Sequence, residues 1–169
     1  WETARLRIAS VDEEAQLVKF TGPTWWNFEY FGPRRRYWVE NAPDALDAPG
    51  EWQLDRRQGV VRYIPLPDED LRTAEVVAPR LKTLVEFRGE AALGLWVEHV
   101  HFRGLQFCDQ DWTLEPEGHS DAQAAQTTPA AIMADGALSC SFTDCEMNRL
   151  GSNAIWLRSG CRGNWVQRC

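Results

Sequence analysis

Four carboxylates, Asp109, Asp111, Asp144 and Glu146, have the type and spacing to do chemistry. Two carboxyl groups about 5 to 10 Å apart supply a proton donor and a nucleophile or base, which is what cleavage of a glycosidic bond requires. Asp109 with Asp111 and Asp144 with Glu146 form the candidate pairs, and Asp121 is a weaker single candidate. The competing reading is that all five are solvated turn residues, because short acidic side chains hydrogen-bond their own backbone in turns. A second group could bind rather than react. Trp165 and Trp156 offer flat indoles, with His101, Arg103 and Gln167 as hydrogen-bonding neighbours, a combination suited to stacking on a sugar ring and bonding its hydroxyls. The competing reading here is that these faces are covered by other protein. His99 and His101 share one strand face, but a zinc site needs further ligands and no residue stands at a spacing to supply them. Neither a metal nor another cofactor is expected.

These residues are positioned by a repeat. The run Ala131 to Gly136 aligns with Ala154 to Gly160 through a single one-residue gap. Cys140, Phe142 and Cys145 then recur 24 residues later as Asn164, Val166 and Cys169. An earlier copy, offset by 40 residues, matches Val100, Phe102, Leu105 and Phe107 to Cys140, Phe142, Cys145 and Met147. Apolar and polar residues alternate within each copy, the period of a half-buried strand, and Gly104, Gly136, Gly151 and Gly160 punctuate the runs. Short strands at this period, with no helical stretch between them, predict an all-β fold: a right-handed parallel β-helix over 81–169, with like residues stacked in columns.

In that register Val100, Cys140 and Asn164 point inward, Asn164 as a residue that bonds backbone. His101, Ser141 and Trp165 form one outward column, and Arg103, Thr143 and Gln167 form its neighbour. Trp156, between inward Ile155 and Leu157, points outward from another sheet. The stretch 109–128 breaks the rhythm and reads as an inserted loop, the usual home of binding and catalytic groups on a regular scaffold.

Residues 1–80 have a different texture and read as an N-terminal β-rich element. Arg5 to Ala9 and Gln16 to Thr21 look like short strands, and 51–64 reads as a hairpin closed by a turn at Gly59. Trp25, Trp26, Trp38 and Trp52 are expected to pack this element onto the β-helix.

The composition sets outer bounds. With 169 residues, 44% of them apolar and 25% charged, the chain can bury one core. A formal charge of −7 argues against a nucleic-acid binder, and no apolar run is long enough for a membrane span. Five cysteines, an odd number without CxxC spacing, argue against a closed disulfide framework. Stacked thiols in the interior are their expected use, Cys145 over Cys169 among them.

The run Gly50-Glu51-Trp52, Leu54-Asp55-Arg56, Gly59, Tyr63 and Pro65, preceded by Arg36 to Asn41, resembles a segment of the β-helix proteins of glycoside hydrolase family 141. His99 to Phe107 resembles that group's entry into the helix, and the resemblance covers roughly Trp25 to Cys169. Gln53 stands where an aromatic is more usual. The resemblance implies a secreted or periplasmic protein acting on plant or algal polysaccharide, with activity of the xylanase or α-fucosidase kind. Proteins of this type are several times longer. The repeat breaks off at Cys169, so the chain is expected to be a fragment, with the remainder of the β-helix supplied by the same or another chain and the catalytic pair lying in turns it lacks.

Three functions follow as expectations. The first is glycoside hydrolysis of a polysaccharide or oligosaccharide by a carboxylate pair. The second is a non-catalytic carbohydrate-binding or structural module, which shares the outward aromatics without the chemistry. A polysaccharide lyase is the third. It would want calcium or a basic residue facing acidic sugars, which fits the net charge poorly, although Arg34, Arg35 and Arg36 could form a local basic patch.

Overall fold

The computed structural model describes residues 3–30 and 32–169; Trp1 and the Phe31 aromatic lie outside them. The described residues contain no α-helix, and the fold is all-β. Among the described residues no helix is long and apolar enough to cross a membrane. The chain divides into two compact units, residues 28–77 and residues 1–27 together with 78–169.

The larger unit is built from short parallel sheets. Strands β5 (Val85–Arg88), β6 (Val97–Glu98), β7 (His101–Arg103) and β8 (Gln106–Gln110) follow one another along the chain. Strands β9 (Ala130–Asp135), β10 (Ala137–Leu138), β11 (Ser141–Thr143) and β12 (Glu146–Leu150) then pair with them in the same order, all in parallel. Strand β13 (Asn153–Leu157) pairs with β9, and β14 (Trp165–Gln167) with β11. Ile132 lies opposite both Val85 and Ile155, Phe142 opposite both Phe102 and Val166, and Met147 opposite Phe107. These are the rows in which the repeat aligns. A shift of one residue would turn every apolar side chain outward, so burial of one face fixes the register.

The core lies between the sheets: Phe87, Phe107, Ile132, Ala134, Ala137, Cys140, Phe142 and Cys145. Phe102 and Phe142 stack face to face with centroids 5.1 Å apart and planes 5° apart, while Phe87 and Phe107 meet Phe142 edge-on at 6.3 and 6.1 Å. Parallel in-register strands set like side chains directly above one another, which explains the stacked pair. Asn164 acts through the backbone. Its side chain accepts from the Cys140 amide and donates to the Ala137 carbonyl, both at 2.8 Å. All five cysteines are free thiols: Cys140 and Cys145 are buried and Cys108 and Cys161 half-buried, whereas Cys169, expected to share an interior column with Cys145, is exposed.

The corners between strands repeat in conformation rather than in residue type. Gly104, Asp144 and Arg168 occupy one corner row with φ of 66°, 54° and 52°. His99, Ser139 and Gly163 occupy another with φ of 54°, 54° and 64°. At one point successive levels nearly touch, since a Cβ on Gly89 would sit 2.6 Å from the Gly136 carbonyl oxygen, so only glycine fits there.

Three sequence expectations are revised. Strand β8 continues through Gln110, so Asp109 belongs to a strand and the insertion begins at 111 rather than at 109. Gln110 anchors that end: it is buried, its Nε2 donates to the carbonyls of Lys82 and Asp111, and its Oε1 accepts from the Ser152 amide. The division at residue 80 also moves. Strands β1 (Ile8–Asp12) and β2 (Leu17–Phe20) form an antiparallel hairpin in the larger unit. Arg5 bridges His119 through backbone bonds of 2.8 and 2.7 Å, and Thr21 donates to the Pro116 carbonyl at 2.6 Å. The inserted segment thus serves as the partner of the N-terminal strands. Last, Trp25 is exposed rather than packed, whereas Trp26 is half-buried and donates its indole N–H to the Ala122 carbonyl at 2.7 Å; Trp38 and Trp52 belong to the smaller unit.

In the smaller unit, β3 (Trp52–Asp55) and β4 (Val60–Tyr63) form an antiparallel hairpin. Asp55 closes its turn by accepting from the amides of Arg57 and Gln58, both at 3.0 Å. The Asn41 side chain clasps Leu54 in both directions, at 2.8 and 3.1 Å. A single layer of two short strands has no second face to close a core. Among the described residues of this unit only Gln53 is buried, bonded to the Arg62 guanidinium at 2.9 Å.

Candidate functional site

On β7, β11 and β14, alternate residues Phe102, Phe142 and Val166 occupy one row, the first two packed into the core. The pleat therefore turns the intervening residues outward. His101, Ser141 and Trp165 lie side by side in one row, and Arg103, Thr143 and Gln167 in the row two residues on. His101 Nδ1 and Ser141 Oγ share a hydrogen bond of 2.8 Å. The imidazole lies against the Trp165 indole with centroids 5.6 Å apart and planes tilted by 37°, and His99 continues the row of rings at 6.5 Å. Trp165 is 46% exposed, while Ser141 is only 4% exposed. The serine thus acts as a buried brace that fixes the imidazole, and the indole offers an open face.

Trp156 lies elsewhere. It sits on β13 opposite Met133 of β9, half-buried, with the Arg158 guanidinium 5.5 Å from its ring centroid. Trp156 and Trp165 belong to different sheets and form no common platform.

The acids are held in a way that spacing did not reveal. Asp109 is gripped by Arg149, with Nε to Oδ1 at 2.7 Å and Nη2 to Oδ2 at 2.9 Å. Asp144 is gripped in the same two-pronged manner by Arg168, at 2.5 and 2.9 Å, and Arg103 adds a contact from Nε at 3.4 Å. Asp135 pairs with Arg158 at 2.9 Å. In each pair the acid belongs to one level of strands and the bidentate arginine to the next, so the pairs are rungs between levels. The Arg149 guanidinium, with the Cys108 thiol, holds the Asp109 carboxyl below its ordinary value, and the Asp109 carboxylate in turn pushes that thiol up. The Arg168 guanidinium, reinforced by Arg103, does the same for Asp144 against the opposing effect of burial. Carboxyls so held stay ionised and are poor proton donors.

Asp111 and Glu146 carry no such pair among the described residues. The Asp111 carboxylate accepts from the Thr113 hydroxyl at 3.2 Å, and the Glu146 carboxylate accepts from the Asn148 amide, with Gln106 opposite it on β8. Asp121 is buried in the inserted segment. It accepts from the Thr127 hydroxyl at 2.6 Å, from the Thr127 amide at 3.2 Å and from His119 Nε2 at 3.1 Å. Burial alone would raise its pKa, but the Thr127 donors and His119 bring it below the ordinary value. Thr128 also approaches His119 Nε2, at 3.2 Å, so one ring nitrogen faces both partners. A nucleophile–base–acid relay needs the two on opposite nitrogens, and this cluster is a clasp instead. Among the described residues no three His, Cys, Asp or Glu side chains gather as a metal site.

A pH dependence follows from the rungs. The folded pKa values of Asp109 and Asp144 lie below the unfolded value of about 3.9, so the rungs contribute stability above that value and lose it as pH falls through the lowered ones. Tm measured against pH should be flat above about pH 5 and decline below about pH 4, and added NaCl should shrink the decline, since the guanidiniums are partly exposed. A Tm that rises on acidification would contradict the assignment.

Comparison with family models, with curated proteins and with solved structures gives no match for this chain.

Proposed function

We propose that residues 78–169 form successive turns of a right-handed parallel β-helix, related to glycoside hydrolase family 141, in a secreted or periplasmic carbohydrate-active protein. Its polysaccharide ligand lies across the outward row of His101, Ser141 and Trp165, with Arg103 and Gln167 beside it. Support for the fold is the order of pairing, in which each set of strands lies in parallel beside the set before it with no helix in between. The observation that carries the function is the geometry of Trp165: an open indole next to an imidazole whose orientation is fixed from beneath by Ser141. An aromatic plane supplies the apolar contact for a sugar ring, and rigid neighbouring donors fix its hydroxyls. Trp156 is a separate contact at best, since it lies in another sheet.

Binding is the reading that the acids favour. Asp109 and Asp144 are committed to arginines, and a glycosidase needs one carboxyl that can surrender a proton. Hydrolysis is kept as a second reading by Glu146, whose carboxylate is free of arginine among the described residues and faces outward opposite Gln106.

Trp165→Ala tests the first reading. Truncation of a central aromatic anchor costs about 2 kcal/mol, a roughly 30-fold loss of affinity. Titration calorimetry against xylan and fucosylated oligosaccharides should show that loss with Tm little changed. Unchanged binding in the variant overturns the reading, and release of new reducing ends by the wild-type chain would establish hydrolysis.

A further inference from the structure

We propose that this face selects acidic sugars, with the guanidiniums of Arg103 and Arg168 receiving a uronate carboxylate beside the ring stacked on Trp165. The inference rests on the carbohydrate-binding reading above and adds the class of ligand. It begins from an asymmetry among the rungs. Asp109 takes one arginine, Arg149, and Asp135 takes one, Arg158. Asp144 takes two, Arg168 and Arg103.

One guanidinium satisfies the needs of a rung, so the second is surplus to it. Arg103 is that second one. Its side chain is 80% exposed, and it touches Asp144 through Nε alone at 3.4 Å, which leaves both terminal amino groups free of that contact. Arg168 engages Asp144 through Nε and Nη2, and its side chain is 56% exposed. Two cations on one anion leave this corner with a surplus positive charge. Guanidinium forks match a carboxylate in shape as well as in charge.

The placement suits a sugar acid. Arg103 follows His101 by two residues on β7, and Arg168 follows Trp165 by three at the end of β14. At about 3.3 Å per residue, the arginines sit roughly 7 to 10 Å along the strands from the stacked rings, within reach of a carboxylate on the bound sugar or its neighbour. The formal charge of −7 belongs to the whole chain and does not decide the local field. Residues 151–169 contain Arg158, Arg162 and Arg168 and no acid at all. The sequence neighbours Glu98 and Glu146 lie on β6 and β12, in other sheets.

The experiment compares one oligosaccharide in two charge states: a galacturonic acid tetramer and the same tetramer with its carboxyls methyl-esterified. Each is titrated into the full chain, Arg103→Gln and Trp165→Ala, at low salt and at high salt. The wild-type chain should bind the acid form at least tenfold more tightly than the ester at low salt, and less so at high salt. Arg103→Gln should lose most of that preference, weakening the acid form far more than the ester, with Tm little changed. Trp165→Ala should weaken both forms. Equal affinity of the wild-type chain for both forms, or a preference that survives Arg103→Gln, overturns this inference but leaves sugar binding standing if Trp165→Ala still weakens both. If the wild-type chain binds neither form, or Trp165→Ala changes neither, the carbohydrate reading falls and this inference with it.

Discussion

Phe142→Ala should lower the unfolding free energy by about 3–5 kcal/mol, the largest effect of any single side chain here. Phe142 is the hub of the aromatic core, stacked on Phe102 and met edge-on by Phe87 and Phe107. Its removal forfeits the burial of a whole ring and leaves a cavity whose walls are themselves rings held by strand register, so the space cannot collapse cheaply. For a chain of this size each kcal/mol moves Tm by about 2–4 °C, so scanning calorimetry should record a drop of roughly 6–20 °C. Phe142→Leu refills most of the volume and should cost less than half as much. A Tm within 2 °C of wild type for the alanine variant would mean that the four rings do not share one core.

Asp121→Ala is the second, at about 2–4 kcal/mol, and its effect should be local. Asp121 is 3% exposed and serves the hydroxyl and the amide of Thr127 together with His119 Nε2. Alanine would remove the buried acceptor that the Thr127 hydroxyl and amide and His119 Nε2 share. His119 also exchanges backbone bonds with Arg5, so loosening it releases the N-terminal strand. Hydrogen exchange should therefore accelerate in residues 3–27 and 111–129 while β9 to β12 stay protected. Asp121→Asn keeps an acceptor oxygen and should fall between the two. Acceleration spread evenly over all strands would show that the clasp is not a separate cooperative unit.

The strand rows were legible because burial imposes them. Phe102, Phe142 and Val166 had to share a face once the apolar period was read, and the pairs lie in that register. The rungs were missed, although a signal for them existed. Arg149 follows Asp109, and Arg168 follows Asp144, at the two offsets of the repeat itself, and Arg158 follows Asp135 one residue short, where the alignment carries its gap. Opposite charges at repeat spacing mark contacts between levels, just as charges four apart mark a helix face. The clasp at Asp121 and the partnership of residues 3–27 with the insertion were illegible for a different reason. Neither repeats, and pairing between distant irregular segments leaves no period in a sequence. The exposure of Trp25 was misjudged because aromatic content alone does not say whether a second layer exists to cover it.

The corner rows bear on how this chain can change over time. Gly104, Asp144 and Arg168 share a backbone angle and nothing else, and so do His99, Ser139 and Gly163. What recurs from one set of strands to the next is a dihedral, to which glycine conforms freely, aspartate and histidine at little cost, and serine and arginine under strain. Substitution at these corners is therefore graded by torsional strain rather than by chemical likeness. Arginine to lysine at 168 gains nothing conformationally, whereas arginine to glycine relaxes the backbone while giving up a rung. A tally of matching letters between two sets of strands will understate their likeness, and a comparison of their φ angles will recover it.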